Sequence, residues 1–159
     1  MMYMHHMTLP VPSEAPLPPQ AIIEVCFCHH ARRTARAISR VFDEALAPAG
    51  IKSNQFNILV AIAAGDVTSA GTVAKMLAMD RTTLSRNLKP LREAGYISSE
   101  GGAGRRPDAL TLTETGQAVL NRAVSYWRGA QRVLTERLGA SQSSLLLHAF
   151  EKGVRAATP

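Results

Sequence analysis

The stretch AKMLAMDRTTLSRNLKPLREAG, from Ala74 to Gly95, most constrains what this chain can fold into. It reads as a short helix, a tight connection and a second helix with two unlike faces. Leu84, Leu88 and Leu91 recur at the spacing that keeps side chains on one side of a helix. Arg81, Thr82, Ser85, Arg86, Lys89 and Arg92 fall largely on the rest of its surface. A solvated amphipathic helix is the plain reading, but such a helix needs only the leucines. Reading duplex DNA in the major groove uses the other face as well, because Arg matches guanine edges and Thr or Ser serves several acceptors or a thymine methyl. Asp80 is a good N-cap, able to accept from the amides of Thr82 or Thr83. Pro90 stands inside the same helix, where it removes one hydrogen bond at a cost of about 3 kcal/mol. Because Pro90 lies one turn past Arg86, the pattern predicts a kink toward Ala94 rather than a break.

Beyond Gly95 the pattern changes period. Tyr96-Ile97-Ser98-Ser99-Glu100 and Ala109-Leu110-Thr111-Leu112-Thr113 alternate apolar and polar side chains, as half-buried strands do. Between them, Gly101-Gly102-Ala103-Gly104-Arg105-Arg106-Pro107-Asp108 supplies a glycine-rich basic tip. A helix-turn-helix followed by a basic hairpin is the plan of a winged helix. Its second helix enters the major groove, and the hairpin touches the flanking backbone or minor groove.

These blocks, with Gln55-Phe56 ahead of an apolar run and the closing LTLTETGQAVL, resemble the multiple-antibiotic-resistance regulator (MarR) family from about Cys26 to the end of the chain. The resemblance implies a homodimeric winged-helix transcription regulator, usually a repressor released by a small molecule or by oxidation. It also implies a small-molecule pocket between a helical dimer region and the winged domain. One departure is visible. The family's wing usually carries an aspartate just ahead of its paired arginines, and here Gly104 precedes Arg105 and Arg106, with Asp108 following them.

Charge agrees with a nucleic-acid partner. The 159 residues carry a formal net charge of +6, and between Arg81 and Arg106 six basic residues stand against two acidic ones. Most of the excess therefore belongs to the helix and hairpin, which favours an anionic ligand there. Aromatic residues make up only 5%, and Tyr96 alone lies in the basic segment, so the stacking platforms of single-strand binders are missing. Double-stranded DNA is favoured over RNA. A winged-helix protein-interaction module without specific DNA binding is the alternative; it predicts an apolar second helix. Enzyme readings find no footing: no Ser-His-Asp order, phosphate loop or HExxH appears, and no helix follows Gly101–Gly104 to make it a dinucleotide fingerprint. No catalytic residue, metal site or cofactor is assigned. No segment is long and apolar enough to span a membrane. The N-terminus lacks the charged-then-apolar plan of a signal peptide, so a cytoplasmic location is expected.

The expected fold is mainly α with a small β-wing, a winged helix-turn-helix embedded in a helical dimerisation region. Residues 1–21 read as a disordered Pro-rich arm, 22–50 as an N-terminal dimerisation helix, 51–113 as the DNA-binding region and 114–159 as C-terminal dimerisation helices. One helix is expected from about Ile22 to Ala47, with Phe27, Ala31, Ala35, Ile38, Phe42 and Ala45 along a stripe, ended by Pro48-Ala49-Gly50. Ser53 reads as the N-cap of a helix carrying Phe56, Leu59, Val60 and Ile62. Thr68 or Ser69 caps the next, with Val73, Ala74 and Leu77 inward. Thr113 begins a long helix with Leu120, Val124, Trp127, Gln131, Leu134 and Leu138 at helical spacing. Gly139 stops it, and Ser141 starts a last helix with Leu145, Leu146, Phe150 and Val154. So small a central domain cannot bury these long stripes; a second copy of the chain would.

On this plan Arg81, Thr82, Thr83, Ser85 and Arg86 face the groove, with Arg86 matched to guanine. Ser69 and Lys89 meet phosphate, which positions without specifying. Arg105 and Arg106 work from the wing. Two copies about a dyad read a pseudo-palindromic operator with half-sites roughly 34–36 Å apart. For sensing, Cys26-Phe27-Cys28-His29-His30 admits three readings. Cys26 is a thiol switch beside positive neighbours such as Arg33; or Cys26, His29 and His30 hold a metal; or Cys28 packs as a small hydrophobe and the histidines are structural. On one continuous helix Cys26 and Cys28 point nearly opposite ways and cannot join without unwinding it. The peroxide-sensing branch of the MarR family keeps a reactive cysteine followed by phenylalanine near the start of this helix, as Cys26-Phe27 is here. Trp127, His30, Phe56 and Arg33 are the candidates to line an effector pocket, with plain core packing the alternative for Trp127.

Overall fold

The computed structural model describes residues 16–65, 68–99 and 109–158. The chain divides into two units, one ending at Arg36 and one beginning at Ala37.

In the first unit, helix α1 (Pro19–Val25) starts on a proline, whose fixed φ suits a first helical position. The single helix expected from Ile22 is broken at Cys26, which adopts extended backbone (φ −75°, ψ 109°). Helix α2 (Phe27–Leu46) begins directly after it. Cys26 serves both ends. Its N–H donates to Ile22 O at 3.0 Å, and its Sγ accepts from the His29 N–H at 3.4 Å. A side chain that satisfies a backbone amide in this way competes with continuing the helix. Phe27, placed on an apolar stripe by its spacing, follows the break and is 93% exposed.

The second unit holds the core. Helix α2 ends at Leu46 and runs into a 3-10 turn, Ala47–Ala49, closed by Gly50, as Pro48-Ala49-Gly50 led one to expect. In helix α3 (Ser53–Ala63) the N-cap is Lys52 rather than Ser53. The Lys52 N–H donates to Gln55 Oε1 at 2.9 Å, and the Ser53 N–H donates to Asp43 Oδ1 at 2.7 Å. Ser53 is thus the first helical residue, its own amide held by a carboxylate ten residues upstream, and the amides a Ser53 cap would have served go to Asn54 Oδ1 and the Lys52 carbonyl. The Asp43 pKa is lowered: burial would raise it, but the hydrogen bonds from Ser53 and the nearby Lys52 charge outweigh that. Phe56, Leu59 and Ile62 are buried as expected, together with Ile58, whereas Val60 is exposed.

Strand β1 (Thr68–Ser69), helix α4 (Ala70–Met76), helix α5 (Arg81–Glu93), strand β2 (Ile97–Ser98) and strand β3 (Ala109–Leu112) follow. They include an antiparallel sheet in the order β1-β3-β2, with Thr68 opposite Leu110 and Ile97 opposite Leu112. The β2–β3 pairing is the expected hairpin; β1 was not expected, because two residues carry no period. Leu46, Ile58, Leu59, Ile62, Val73, Leu84, Leu91 and Leu110 are the most deeply buried large side chains.

Helix α6 (Glu114–Leu138) starts from Thr113, whose hydroxyl accepts from the Gly116 N–H at 3.0 Å and donates to Gly95 O at 2.6 Å. The Thr113 N–H donates to Tyr96 O at 3.0 Å. Only glycine fits at 116, since a Cβ there would overlap the carbonyl carbon and oxygen of Tyr96. Helix α7 (Ala140–Ala157) begins one residue before the expected start. None of its residues is buried, and Leu145, Leu147, Phe150 and Val154 lie exposed on the single chain.

Candidate nucleic-acid interface

Two turns bracket α5. At the first, Ser69 caps α4 by accepting from the Thr72 N–H at 3.1 Å. Helix α4 closes with Met79 N–H donating to Ala74 O at 2.9 Å and Ala78 N–H to Lys75 O at 3.2 Å. This double closure places Ala78 in the left-handed region at φ 49°, where a side chain costs roughly 1–2 kcal/mol. Asp80 then caps α5 and accepts from the Thr83 N–H at 2.8 Å and the Thr83 hydroxyl at 2.6 Å. Those bonds from Thr83 hold its carboxyl below the ordinary range. At the far end, Gly95 (φ 69°) takes the same closing geometry, with Gly95 N–H to Arg92 O and Tyr96 N–H to Leu91 O, both 2.9 Å. Here glycine makes the left-handed residue inexpensive.

Between these turns, Leu84, Leu88 and Leu91 are buried, while Arg81, Thr82, Thr83, Ser85, Arg86, Lys89 and Arg92 are exposed. The helix continues through Pro90 to Glu93 without a break. Lys89 Nζ lies 3.8 Å from Glu93 Oε1, with both side chains well exposed (75% and 64%). A pair this open to solvent is worth little, so Lys89 stays available to a phosphate. The Ser69 oxygen accepts in its cap and also lies 3.1 Å from the Thr72 hydroxyl. Arg105 and Arg106 lie outside the described residues.

One polar contact escaped the sequence reading. Asn87 Nδ2 donates to Thr83 O at 2.8 Å, and Asn87 Oδ1 accepts from Asn54 Nδ2 of α3 at 2.6 Å. Thirty-three residues separate the partners, and no local spacing signals them.

The sensing candidates divide. Cys26 is half-buried with its sulfur on the His29 amide, and Cys28 is exposed. Cys26 is not helical, so the one continuous helix on which the two thiols were expected to oppose each other does not form. His30 Nε2 donates to Glu24 O at 3.0 Å, its ring 5.6 Å edge-to-face from His29, and Arg33 is exposed in the same unit. Among the described residues, no group of three His, Cys, Asp or Glu side chains is placed to hold a metal ion. In the other unit Trp127 stacks on Phe56, ring centroids 6.2 Å apart and planes 21° apart. Both border a cavity of about 160 Å³ with Ile38, Ser39, Phe42, Leu46, Ser53 and Asn57. Trp127 therefore packs on the core and walls a cavity at once.

A family model described as the MarR family matches residues 49–106, from the end of the 3-10 turn through α5 and β2 to the paired arginines. MosR, a transcriptional regulator of M. tuberculosis, is 30% identical and superposes with a TM-score of 0.69 over 85% of this chain and 99% of MosR. The chain belongs to the MarR family. MosR in complex with DNA is likewise similar, 29% identical with a TM-score of 0.69, over 84% of this chain and 99% of that one. YwoH, an HTH-type transcriptional regulator of Bacillus subtilis, is 25% identical over 89 residues, which span 56% of this chain and 65% of YwoH. As a MarR-family chain this is a DNA-binding transcription regulator. No described helix is long and apolar enough to cross a membrane.

Proposed function

We propose that this MarR-family regulator is a cytoplasmic homodimeric repressor that binds a pseudo-palindromic operator in double-stranded DNA and is released by a small effector or by oxidation. Helix α5 carries the reading. Its leucines are buried to completion while Arg81, Thr82, Ser85 and Arg86 stand exposed along its first half, the part that meets base edges in helix-turn-helix docking. Arg86 is assigned to a guanine edge, Lys89 and Ser69 to phosphate, and Arg105 with Arg106 to the flanking groove. The protein-interaction alternative needs an apolar outer face on α5, and that face is basic and hydroxylated. That the similar MosR is solved in complex with DNA supports DNA as the partner.

A dimer is supported by the exposed apolar side chains of α7 and by Ile22, Ile23 and Val25 of α1, all uncovered on one chain. Apolar surface left in water at that scale marks an interface. An effector site is supported by the Trp127 cavity. Its roughly 160 Å³ resembles the engineered cavity of about 150 Å³ that takes up benzene. The Cys26 sulfur is the candidate for oxidation; losing its bond to His29 would loosen the start of α2. No catalytic residue or cofactor is part of this reading.

Selection from a randomised duplex library, followed by a salt series on the selected site, tests it. A pseudo-palindrome should emerge. Arg86→Ala should lower the preference for that site by about 1–3 kcal/mol, whereas Lys89→Ala should weaken all sequences alike and reduce the salt slope by about one. Equal binding to selected and scrambled duplexes would leave only a basic surface and overturn the operator reading.

A further inference from the structure

Resting on the operator reading, we propose that Asn54 and Asn87 form a positioning pair that sets the angle of the recognition helix, and that Thr83 belongs to this support rather than to base reading. Helix α5 has three polar strips. Thr82, Arg86 and Lys89 point away from the leucines, and Arg81, Ser85 and Arg92 occupy one flank. On the other flank Asp80, Thr83 and Asn87, spaced three and four apart, share one side of the helix. That flank is already engaged. The Thr83 hydroxyl donates to Asp80 Oδ2, the Thr83 carbonyl accepts from Asn87 Nδ2, and Asn87 Oδ1 accepts from Asn54 Nδ2. Asn54 is itself held in place. It occupies the first turn of α3, where the preceding Ser53 N–H is fixed to Asp43 of α2 and its own Oδ1 accepts from the Gln55 N–H at 2.9 Å.

The strip therefore runs from the N-cap of α5 to the N-terminus of α3 and joins two helices across 33 residues of sequence. Buried leucines fix how deep α5 sits, but an apolar face lets a helix roll about its axis at little cost. A directional amide bond placed beside that face opposes such a roll, and a roll would swing Arg86 off a base edge. Thr83 has spent its hydroxyl proton on Asp80, which leaves it a poorer base reader than Thr82 or Ser85.

A double-mutant cycle on the duplex selected from the randomised library tests the pair. Asn54→Ala and Asn87→Ala should each weaken binding about fivefold, and the double variant should be no worse than the weaker single one. Preference over scrambled DNA should narrow in step, with the salt slope unchanged because no phosphate contact is lost. The proposal is overturned if Asn54→Ala leaves affinity and preference as they were, or if the two losses multiply, as independent DNA contacts would. A salt slope reduced by about one in Asn54→Ala would overturn it too, by making Asn54 a phosphate ligand. Selection of no duplex at all would sink the operator reading itself, and this proposal with it, which separates the two failures.

Discussion

Helices α5 and α7 are both amphipathic, yet they end in opposite conditions. On α5 every leucine is covered by its own chain, and the polar face is what remains exposed. On α7 no residue is buried, and Leu145, Leu147, Phe150 and Val154 stay in water. One helix is finished by its own fold and offers polarity outward; the other offers hydrocarbon and is finished only by something else. A polar remainder suits a charged, hydrated ligand such as DNA, whereas an apolar remainder suits another copy of the same surface. The two functions proposed for this protein, reading an operator and pairing with itself, rest on that contrast.

The largest effect should come at the joint between the two regions. Gly116→Ala forces a Cβ into the Tyr96 carbonyl, against backbone that has little room to yield. A loss of more than about 4 kcal/mol in denaturant unfolding is expected. A variant that unfolds like the parent would show that the start of α6 is free to move away from β2. The contrast itself is sharpest in a matched pair. Leu91→Ala, in the covered face, should cost about 2–5 kcal/mol at any protein concentration. Leu145→Ala, 60% exposed on the single chain, should leave a dilute chain's stability nearly unchanged and raise the dimer dissociation constant in sedimentation. Equal, concentration-independent losses from both would break the comparison.

Smaller effects probe the turns. Ala78→Gly relieves a left-handed residue at φ 49° and should stabilise by about 1 kcal/mol or less, since glycine's freedom in the unfolded chain offsets part of the relief. Destabilisation on thermal unfolding would contradict it. The smallest is a pH effect at Asp80. Its pKa is depressed in the folded protein from an ordinary 3.8, so its contribution is fully present above that value and is lost as pH falls through the folded one. Protection of the Thr83 amide against exchange should be constant around neutral pH and fall only in acid below 3.8, and Asp80→Asn should abolish that acid dependence. The same dependence persisting in Asp80→Asn would assign it elsewhere.

Much of the DNA-binding half was legible. The three leucines, the Asp80 cap, the alternation on either side of the glycine-arginine tip and the Thr113 and Gly139 boundaries all involve neighbours within a turn or a hairpin. The first helix was not legible in the same way. The helix expected from Ile22 ran through Cys26 because cysteine is an uncommon cap, and the sulfur's bond to His29 carries no signal that spacing reveals. Ser53 misled for another reason. It is the right residue type one position too late: its own amide is held by Asp43 from the preceding helix, and the amides it would have capped go to Asn54 Oδ1 and the Lys52 carbonyl.

What the sequence determined alone is therefore local: which faces are apolar, where helices start and stop, and where the basic charge gathers, because periodicity and capping act over three or four residues. The tertiary structure decided the rest. It paired Thr68-Ser69 with β3, brought Asn54 to Asn87, seated Gly116 on Tyr96 and turned Trp127 onto Phe56 beside a cavity. Each of these joins residues far apart in the chain, and such contacts are selected by the packing of the whole core rather than by any spacing a single segment displays.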